Sequence, residues 1–465
     1  MPTARTRRWP ARTAAVLAAT ALAAGAALPA AEAKPPKGDT ARISETAKGE
    51  QLNGPSTALG LSEDGRSALF TSAATNLLPG TGTPNSDEVY VRNLRNGHVE
   101  KVSVADDGSP LNAPTTDASI SADSRYVAFS TTATNVVPGQ PAHPSDVFVR
   151  DRWTGHTELV TAAALPGAED QSGFGSTSPS ISRDGRYVAY VSNRSDLAPG
   201  PVRRGRNNIY VTDRWTRTSR LVTVGADGEP ASNYSLDPVI SADGSAIAFT
   251  SRAGNLLPEV PAAPAPGSDE ADAGSPGVTG GPMHHPSYVW KAATGTIVAG
   301  SVDGTGQLSG SSDGRISPDG RYAVYSVAVY GTGLPGHGGV RLDVYVHDLA
   351  TGKVTEVSAG LPGTTANGSS SGAVMTADDR WVYFDSSAGN LLPDDVRNQS
   401  SVYRRDLWTG RIERVSLTRD GAPSTSPSYS PSVDATGDAV LFTADDGDLV
   451  PGDTNAVTDA FLRRL

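Results

Sequence analysis

A chain of 465 residues with no cysteine and a formal net charge of −11 is not a disulfide-stapled scaffold. Without a dense basic patch, that charge also argues against nucleic acid or an anionic membrane surface as partner. Fifty glycines and thirty-four prolines would suggest disorder if scattered, but here they recur at regularly spaced turns. Arg5, Arg7, Arg8 and Arg12 form a basic start, Ala14–Ala27 is an apolar small-residue run, and Ala31-Glu32-Ala33 has the form of a cleavage site. Residues 1–33 therefore read as a secretory signal peptide cleaved near Ala33. The expected location is secreted, periplasmic or on the exterior of the cell envelope, with the general and twin-arginine export routes both open. Removing the four Arg and one Glu of residues 1–33 takes the net charge to −14. No later apolar run reaches 18 residues, so no membrane span is expected.

From residue 34 onward one unit repeats. In Pro179–Ser192, PSISRDGRYVAYVS, Ile181 belongs to a first strand and Tyr187–Tyr190 to a second, and Asp184-Gly185 predicts a two-residue hairpin turn between them. The turn recurs at Asp64, Asp123, Asp184, Asp243, Asp319, Asp378 and Thr436, in steps of 59, 61, 59, 76, 59 and 58 residues. Such a period signals stacked or radial repeats.

Each unit predicts four strands, a to d. Strand a carries Leu61, Ile120, Ile181, Ile240, Ile316, Met375 or Val433. Strand b ends on Phe70, Phe129, Tyr190, Phe249, Tyr325, Phe384 or Phe442. Strand c is centred on Tyr90, Phe148, Tyr210, Tyr288, Tyr345, Tyr403 or Phe461. A Gly turn (Gly97, Gly155, Gly295, Gly352, Gly410) leads to strand d, with Arg217 replacing Gly in the third unit. No long segment has a 3.6-residue period, so little helix is expected. The seventh unit stops after strand c, whereas Arg42-Ile43-Ser44 matches Arg414-Val415-Ser416 of a strand d. The fold expected for residues 34–465 is thus a single all-β domain: a seven-bladed β-propeller of four-stranded antiparallel blades, closed by the N-terminal strand joining the last blade. The 76-residue step comes from a Pro-, Ala- and Gly-rich insertion at 259–287, read as a disordered loop.

The run S-x-D-G-R-Y-V-A-[FY] followed by [DN]-[VI]-[FY]-V resembles the WD40-like (PD40) repeats of TolB-type propellers, over nearly the whole chain after residue 33. The resemblance implies an exported propeller. It departs from TolB in having seven units rather than six and no preceding α/β domain, so TolB's lipoprotein-binding residues cannot be carried over. Nor is there a following hydrolase domain of the kind that accompanies similar propellers in peptidases.

The short a–b and c–d connections must share one face of such a ring and the long b–c and d–a connections the other. Long loops on a rigid scaffold are where binding residues gather. That face also collects Asp106, Asp107, Asp117, Glu169, Asp170, Asp227, Glu229, Asp237, Asp394, Asp395, Asp445, Asp446, Asp448 and Asp453, with Arg203, Arg204 and Arg206 as the exception. The plain reading is solvated loop charge; the sharper one is a calcium site, best represented by Asp453, Asn455 and Asp459 in D-x-N-x-x-x-D spacing. That segment lacks the central Gly and bidentate Glu of a calcium loop, so no metal is assigned. Asn76, Asn135, Asn255 and Asn390 read as turn-capping amides. His284-His285 reads as a solvated pair. Gly368-Ser369-Ser370-Ser371-Gly372 matches a nucleophile elbow only by chance, lacking the strand-then-helix context. Trp153, Trp215 and Trp408 sit at equivalent c–d turns, where they are expected to cover blade ends rather than stack on sugars or bases.

No catalytic, cofactor-binding or metal residues are assigned and no cofactor is called for. The expectation is a monomeric, non-enzymatic scaffold binding an unknown protein or envelope ligand through its acidic long-loop face. The alternative is an extracellular lyase or glycan-active enzyme using carboxylates near the central channel.

Overall fold

The computed structural model describes residues 38–465 apart from 80–86, 142, 166–172, 259–284, 304–305, 330–339, 363, 394, 396–398 and 446. The expected signal peptide and most of the 259–287 insertion lie outside the described residues. All regular structure among the described residues is strand, and it falls into seven blades. Blade 6 is representative: strand a Ser370–Met375, b Trp381–Ser386, c Ser401–Asp406 and d Ile412–Arg414, paired in that order. Blade 5 departs from the pattern. Its strand a is split into Gly310–Ser311 and Arg315–Ile316, and Ser311 also pairs with His285 of blade 4, which fuses the two blades into one sheet.

The aromatic residues of strands b and c are direct cross-strand partners. They stack in every blade, from Phe70–Tyr90 with centroids 5.8 Å apart to Phe442–Phe461 at 6.1 Å. These rings are almost wholly buried, apart from the half-buried Tyr345, and form the middle of each blade. Each pair contributes about 0.5–1.5 kcal/mol beyond its burial.

The a–b turns are not the two-residue hairpins expected from Asp-Gly. Between Ser182 and Tyr187 lie four residues. The Ser182 N–H donates to Tyr187 O (2.9 Å), the Gly185 N–H donates to Ser182 O (3.0 Å), and Ser182 Oγ both accepts the Tyr187 N–H (2.9 Å) and donates to Asp184 Oδ1 (2.8 Å). The turn is therefore dictated by the serine before it as much as by Gly185, the left-handed residue of the turn (φ 71°). A type I′ hairpin would need two such residues. Ser124 and Asp379 take the glycine's place in blades 2 and 6 with φ 65° and 58°.

The seven strands a touch one another in succession around the ring and so line its axis. At their short-loop end the turns form a belt of interblade backbone bonds. Asp64 N–H donates to Ala122 O, Ala122 to Arg183, Arg183 to Ala242 and Ala242 to Pro318; Ala377 donates to Ala435 and Ala435 to Glu63. The step from blade 5 to blade 6 has no such bond because Pro318 carries no N–H.

Closure follows the expected register. Thr40–Arg42 pairs with Asp459–Arg464, and Arg42 faces Phe461 just as Arg414 faces Tyr403. Hydroxyls repeat the equivalence. Ser416 Oγ accepts the Val402 N–H in blade 6 (3.0 Å), and Ser44 Oγ accepts the Ala460 N–H in blade 7 (3.0 Å). The repeated asparagines do not cap their own turns but tie two long loops together. Asn76 Oδ1 accepts the Asn53 N–H (3.0 Å) while its amide donates to Gln51 O (3.0 Å), an arrangement repeated by Asn135, Asn255 and Asn390.

Two outcomes follow. Arg217 has φ 55° at a turn where the other complete units have Gly, so Arg217→Gly should stabilise the protein by up to about 1 kcal/mol; paired urea melts measure this, and a lower midpoint would show that the turn carries no such strain. Deleting residues 38–46 removes the closing strand and bares the edge of Asp459–Arg464. The melting temperature should fall and light scattering should show concentration-dependent association.

Candidate active site in the central channel

Carboxylates reach the channel through a repeated irregularity in strand a. The a–b register shifts between Thr177 and Ser180, Leu236 and Val239, Ser371 and Val374, and Tyr429 and Ser432. The residue at the bulge, Ser178, Asp237, Gly372 or Ser430, has positive φ, and such bulges re-aim side chains. Asp237 is the bulge residue of blade 4; at the same place in the repeat, Asp117 of blade 2 pairs with Ser130 just after a shift that falls one residue earlier, and Asp313 of blade 5 lies between the two halves of strand a. Asp117 and Asp237 therefore belong to inner strands, not to long loops as expected, because the bulge lets strand a begin earlier, at Thr115 and Ser235.

Asp385 joins them from strand b of blade 6. Its Oδ2 accepts the Ser371 hydroxyl (2.9 Å) and its Oδ1 the Ser430 N–H of blade 7 (3.3 Å). Gly372 lies between two carboxylates: its N–H donates to Asp313 Oδ2 (3.2 Å), and a Cβ there would collide with Asp385 Oδ1. Burial pushes Asp385 up to about 6; the Ser371 and Ser430 donors oppose this and the charge of Asp313 adds to it. Asp237, which accepts the Thr250 hydroxyl (3.3 Å), is also raised, first by burial and then by the charges of Asp313 and Asp117, while Arg315 pulls it down. Asp237 is exposed as a residue, yet enough protein surrounds its carboxylate to raise it. Asp313 thus lies within electrostatic reach of both Asp237 and Asp385, and Asp117 and Arg315 within reach of Asp237.

Asp385 departs from the repeat in residue type. The residue after the strand-b aromatic is Thr71, Ser130, Val191, Thr250, Ser326 or Thr443 in the other units. Arg194 is a second such case. Where other blades bury Ala74, Ala133, Ala253 or Ala388, blade 3 has Arg194, fully buried. Its guanidinium donates to both oxygens of Asp196 (2.9 and 2.8 Å), to Asp146 Oδ1 (3.1 Å) and to Thr161 O (2.8 Å), with His143 Nδ1 at 3.2 Å. Every one of these partners is part of the blade 2–blade 3 packing, so the cluster is a structural cross-link.

The calcium candidate residues do come together, but around a cation the chain itself supplies. Arg42 of the closing strand lies 3.1 Å from Asp453 Oδ1 and 3.7 Å from Asp459 Oδ2, and the Asn455 amide donates to Leu52 O (3.1 Å). Blade 6 has the equivalent pair, Arg414 with Asp395. Among the described residues no group of three or more His, Cys, Asp or Glu is arranged to hold a metal ion. The other long-loop acids serve local turns: Asp107 accepts the Ser109 N–H, Asp227 the Asn255 amide, Asp445 the Tyr429 hydroxyl and Asp448 the Thr425 N–H. Glu169, Asp170, Asp394, Asp446 and His284 lie outside the described residues. His285 meets the Tyr234 hydroxyl (3.0 Å), and Arg204 stacks over Phe174. Ser370 and Ser371 of the elbow-like motif begin a strand, and Ser370 Oγ donates to Ser386 (2.8 Å). Trp153, Trp215 and Trp408 do not cover blade ends; they are 70%, 66% and 71% exposed, because each c–d turn projects its side chain outward.

No protein-family model matches the chain, and no curated protein matches it. Among solved structures it is similar to an oligogalacturonate lyase from Vibrio parahaemolyticus, at 14% identity over 92% of this chain and 98% of that one, with a TM-score of 0.50. It is also similar to the β-propeller domain of the Trilobed protease from Pyrococcus furiosus (12% identity, 88% and 95% covered, TM-score 0.49) and to TolB from Acinetobacter baumannii (15% identity, 82% and 77% covered, TM-score 0.36). The fold is a β-propeller. The expectation of a non-enzymatic scaffold does not stand. A lyase matched over 98% of its chain is built on this fold.

Arg194 gives this region a direct test. Arg194→Ala leaves Asp146 and Asp196 buried without their cation and should cost about 3–5 kcal/mol, read as a lower urea midpoint. A change under 1 kcal/mol would show that water reaches the cluster.

Proposed function

We propose that the protein is an exported carbohydrate-active enzyme of the lyase type, working at the channel carboxylates. The observation that carries this is Asp385: a carboxylate raised to about 6, next to a second carboxylate, Asp313, across Gly372. A group titrating near the working pH is suited to take and return a proton. In the reaction it would serve, a base removes the proton from the ring carbon next to a uronate carboxyl. The electron pair becomes a carbon–carbon double bond as the bond to the glycosidic oxygen breaks, and that oxygen leaves with a proton. Asp385 is the base in this reading, and Arg315, exposed in the same channel, faces the substrate carboxylate. The likeness to a lyase supports the fold's capacity for such chemistry; Asp385 and Asp313 are this chain's own argument.

The test uses residues 34–465 with polygalacturonate, alginate and hyaluronan, following the ultraviolet absorbance of the unsaturated product and the release of reducing ends. The rate should rise with pH through about 6, and Asp385→Asn should lower it by on the order of 100-fold or more. The same variant has a signed effect on stability. Since the folded-state value lies above that of the unfolded chain, ionising Asp385 costs stability as pH rises through about 6. Asp385→Asn should therefore melt higher at pH 7.5, by on the order of 2 kcal/mol, and no higher below pH 4 (about the unfolded carboxylate value). Absence of unsaturated product and of reducing ends from all three polymers would overturn the catalytic reading.

A further inference from the structure

The three exposed tryptophans lie on the short-loop face, opposite the long-loop mouth, and the fold does not need them. In blade 5 the same turn is made with Ala350. Gly352 N–H donates to Asp348 O (2.7 Å), Ala350 N–H to Asp348 Oδ1 (2.9 Å), and Arg321 pairs with Asp348 (2.8 Å). Where Trp replaces that Ala, the indole is held in place. Arg125 donates to both oxygens of Asp151 (3.1 and 2.6 Å) and lies 4.6 Å from the Trp153 ring centroid. Arg186, held by Asp213, lies 4.7 Å from Trp215, and Arg380, held by Asp406, lies 5.0 Å from Trp408. One face of each ring is backed by a fixed guanidinium, and two-thirds or more of the residue remains open to water. Such rigid, amphipathic aromatic anchors bind at low entropic cost.

We propose that Trp153 and Trp215, on adjacent blades 2 and 3, form a platform for an extended, uncharged polysaccharide, with Trp408 on blade 6 as a secondary contact. The ligand class follows from three observations. The anchors are separate planes set among Thr154, Thr216 and Thr409, which are also exposed, so the surface alternates apolar faces with hydroxyls as a sugar chain does. It is not the contiguous apolar patch of a protein interface. The guanidiniums behind the rings are neutralised by their own aspartates and the chain carries a net charge of −11, which favours an uncharged chain over a polyanion. A pyranose ring offers an apolar C–H face to each indole and hydroxyls to the threonines. This surface is separate from the channel and does not depend on its chemistry.

The experiment titrates residues 34–465 with cellohexaose, xylohexaose, mannohexaose and chitohexaose, by calorimetry and tryptophan fluorescence, and measures co-sedimentation with insoluble cellulose and chitin. At least one sugar should bind and shift the emission to shorter wavelength. Trp153→Ala with Trp215→Ala should weaken that binding at least tenfold without lowering the melting temperature, since blade 5 folds with Ala350, and Trp408→Ala should weaken it less. If no sugar binds, if the double variant binds as well as the parent, or if the emission shifts only with phosphatidylcholine vesicles, the platform is not a carbohydrate site.

Discussion

One stacked aromatic pair per blade, strand b against strand c, is what the rest of the molecule rests on. A single two-stranded hairpin is marginal alone, and a blade needs its further strands and an apolar face to be stable. The pair gives each blade a rigid centre with a fixed register, since a one-residue slip would carry both rings to the opposite face. With the centre fixed, strand a is presented to the axis in the same way seven times. The bulge residue at its long-loop half then becomes a position that can be varied without disturbing the core. Asp237 uses that freedom, whereas Ser178, Gly372 and Ser430 leave it uncharged, and Asp117 and Asp313 bring carboxylates to the same place in the repeat without the left-handed bulge.

The repeated features were legible in the sequence because repetition is itself a signal. The aromatic positions, the blade count and the closing strand could all be read from spacing. The match of Arg42-Ile43-Ser44 to Arg414-Val415-Ser416 proved true to the residue, down to the hydroxyl that each serine brings to strand c. The turn geometry was misread because Asp-Gly was weighed without the serine two residues before it, whose side chain holds the ends of a wider loop.

The candidate site was harder to see for the opposite reason: it consists of departures from the repeat. Asp385 stands where no other unit has a carboxylate, and Arg194 where most have alanine. A reading that looks for what the units share averages such residues away. The acidic loops drew attention instead because they are many, yet their carboxylates are mostly engaged in turns and ion pairs. Asp453 and Asp459 show this most clearly: their spacing allows a cation, and the cation proved to be Arg42, remote in sequence but brought close by closure.

The belt around the short-loop end of the channel has mechanical meaning. Six of its steps are backbone hydrogen bonds that hold neighbouring turns at a fixed distance. At the seventh, Pro318 has nothing to donate, and Asp379 is raised to about 6 by burial and by the nearby Asp319. Blades 5 and 6 flank this step, and they are the blades that carry Asp313 and Asp385. The seam is tied in another way: Arg341 donates to Ala366 O (2.7 Å) and the Gly372 N–H to Asp313 Oδ2 (3.2 Å) across it. Asp313 and Asp385 thus belong to the two blades whose step in the belt is spanned by side-chain bonds and not by the backbone bond found at the other six.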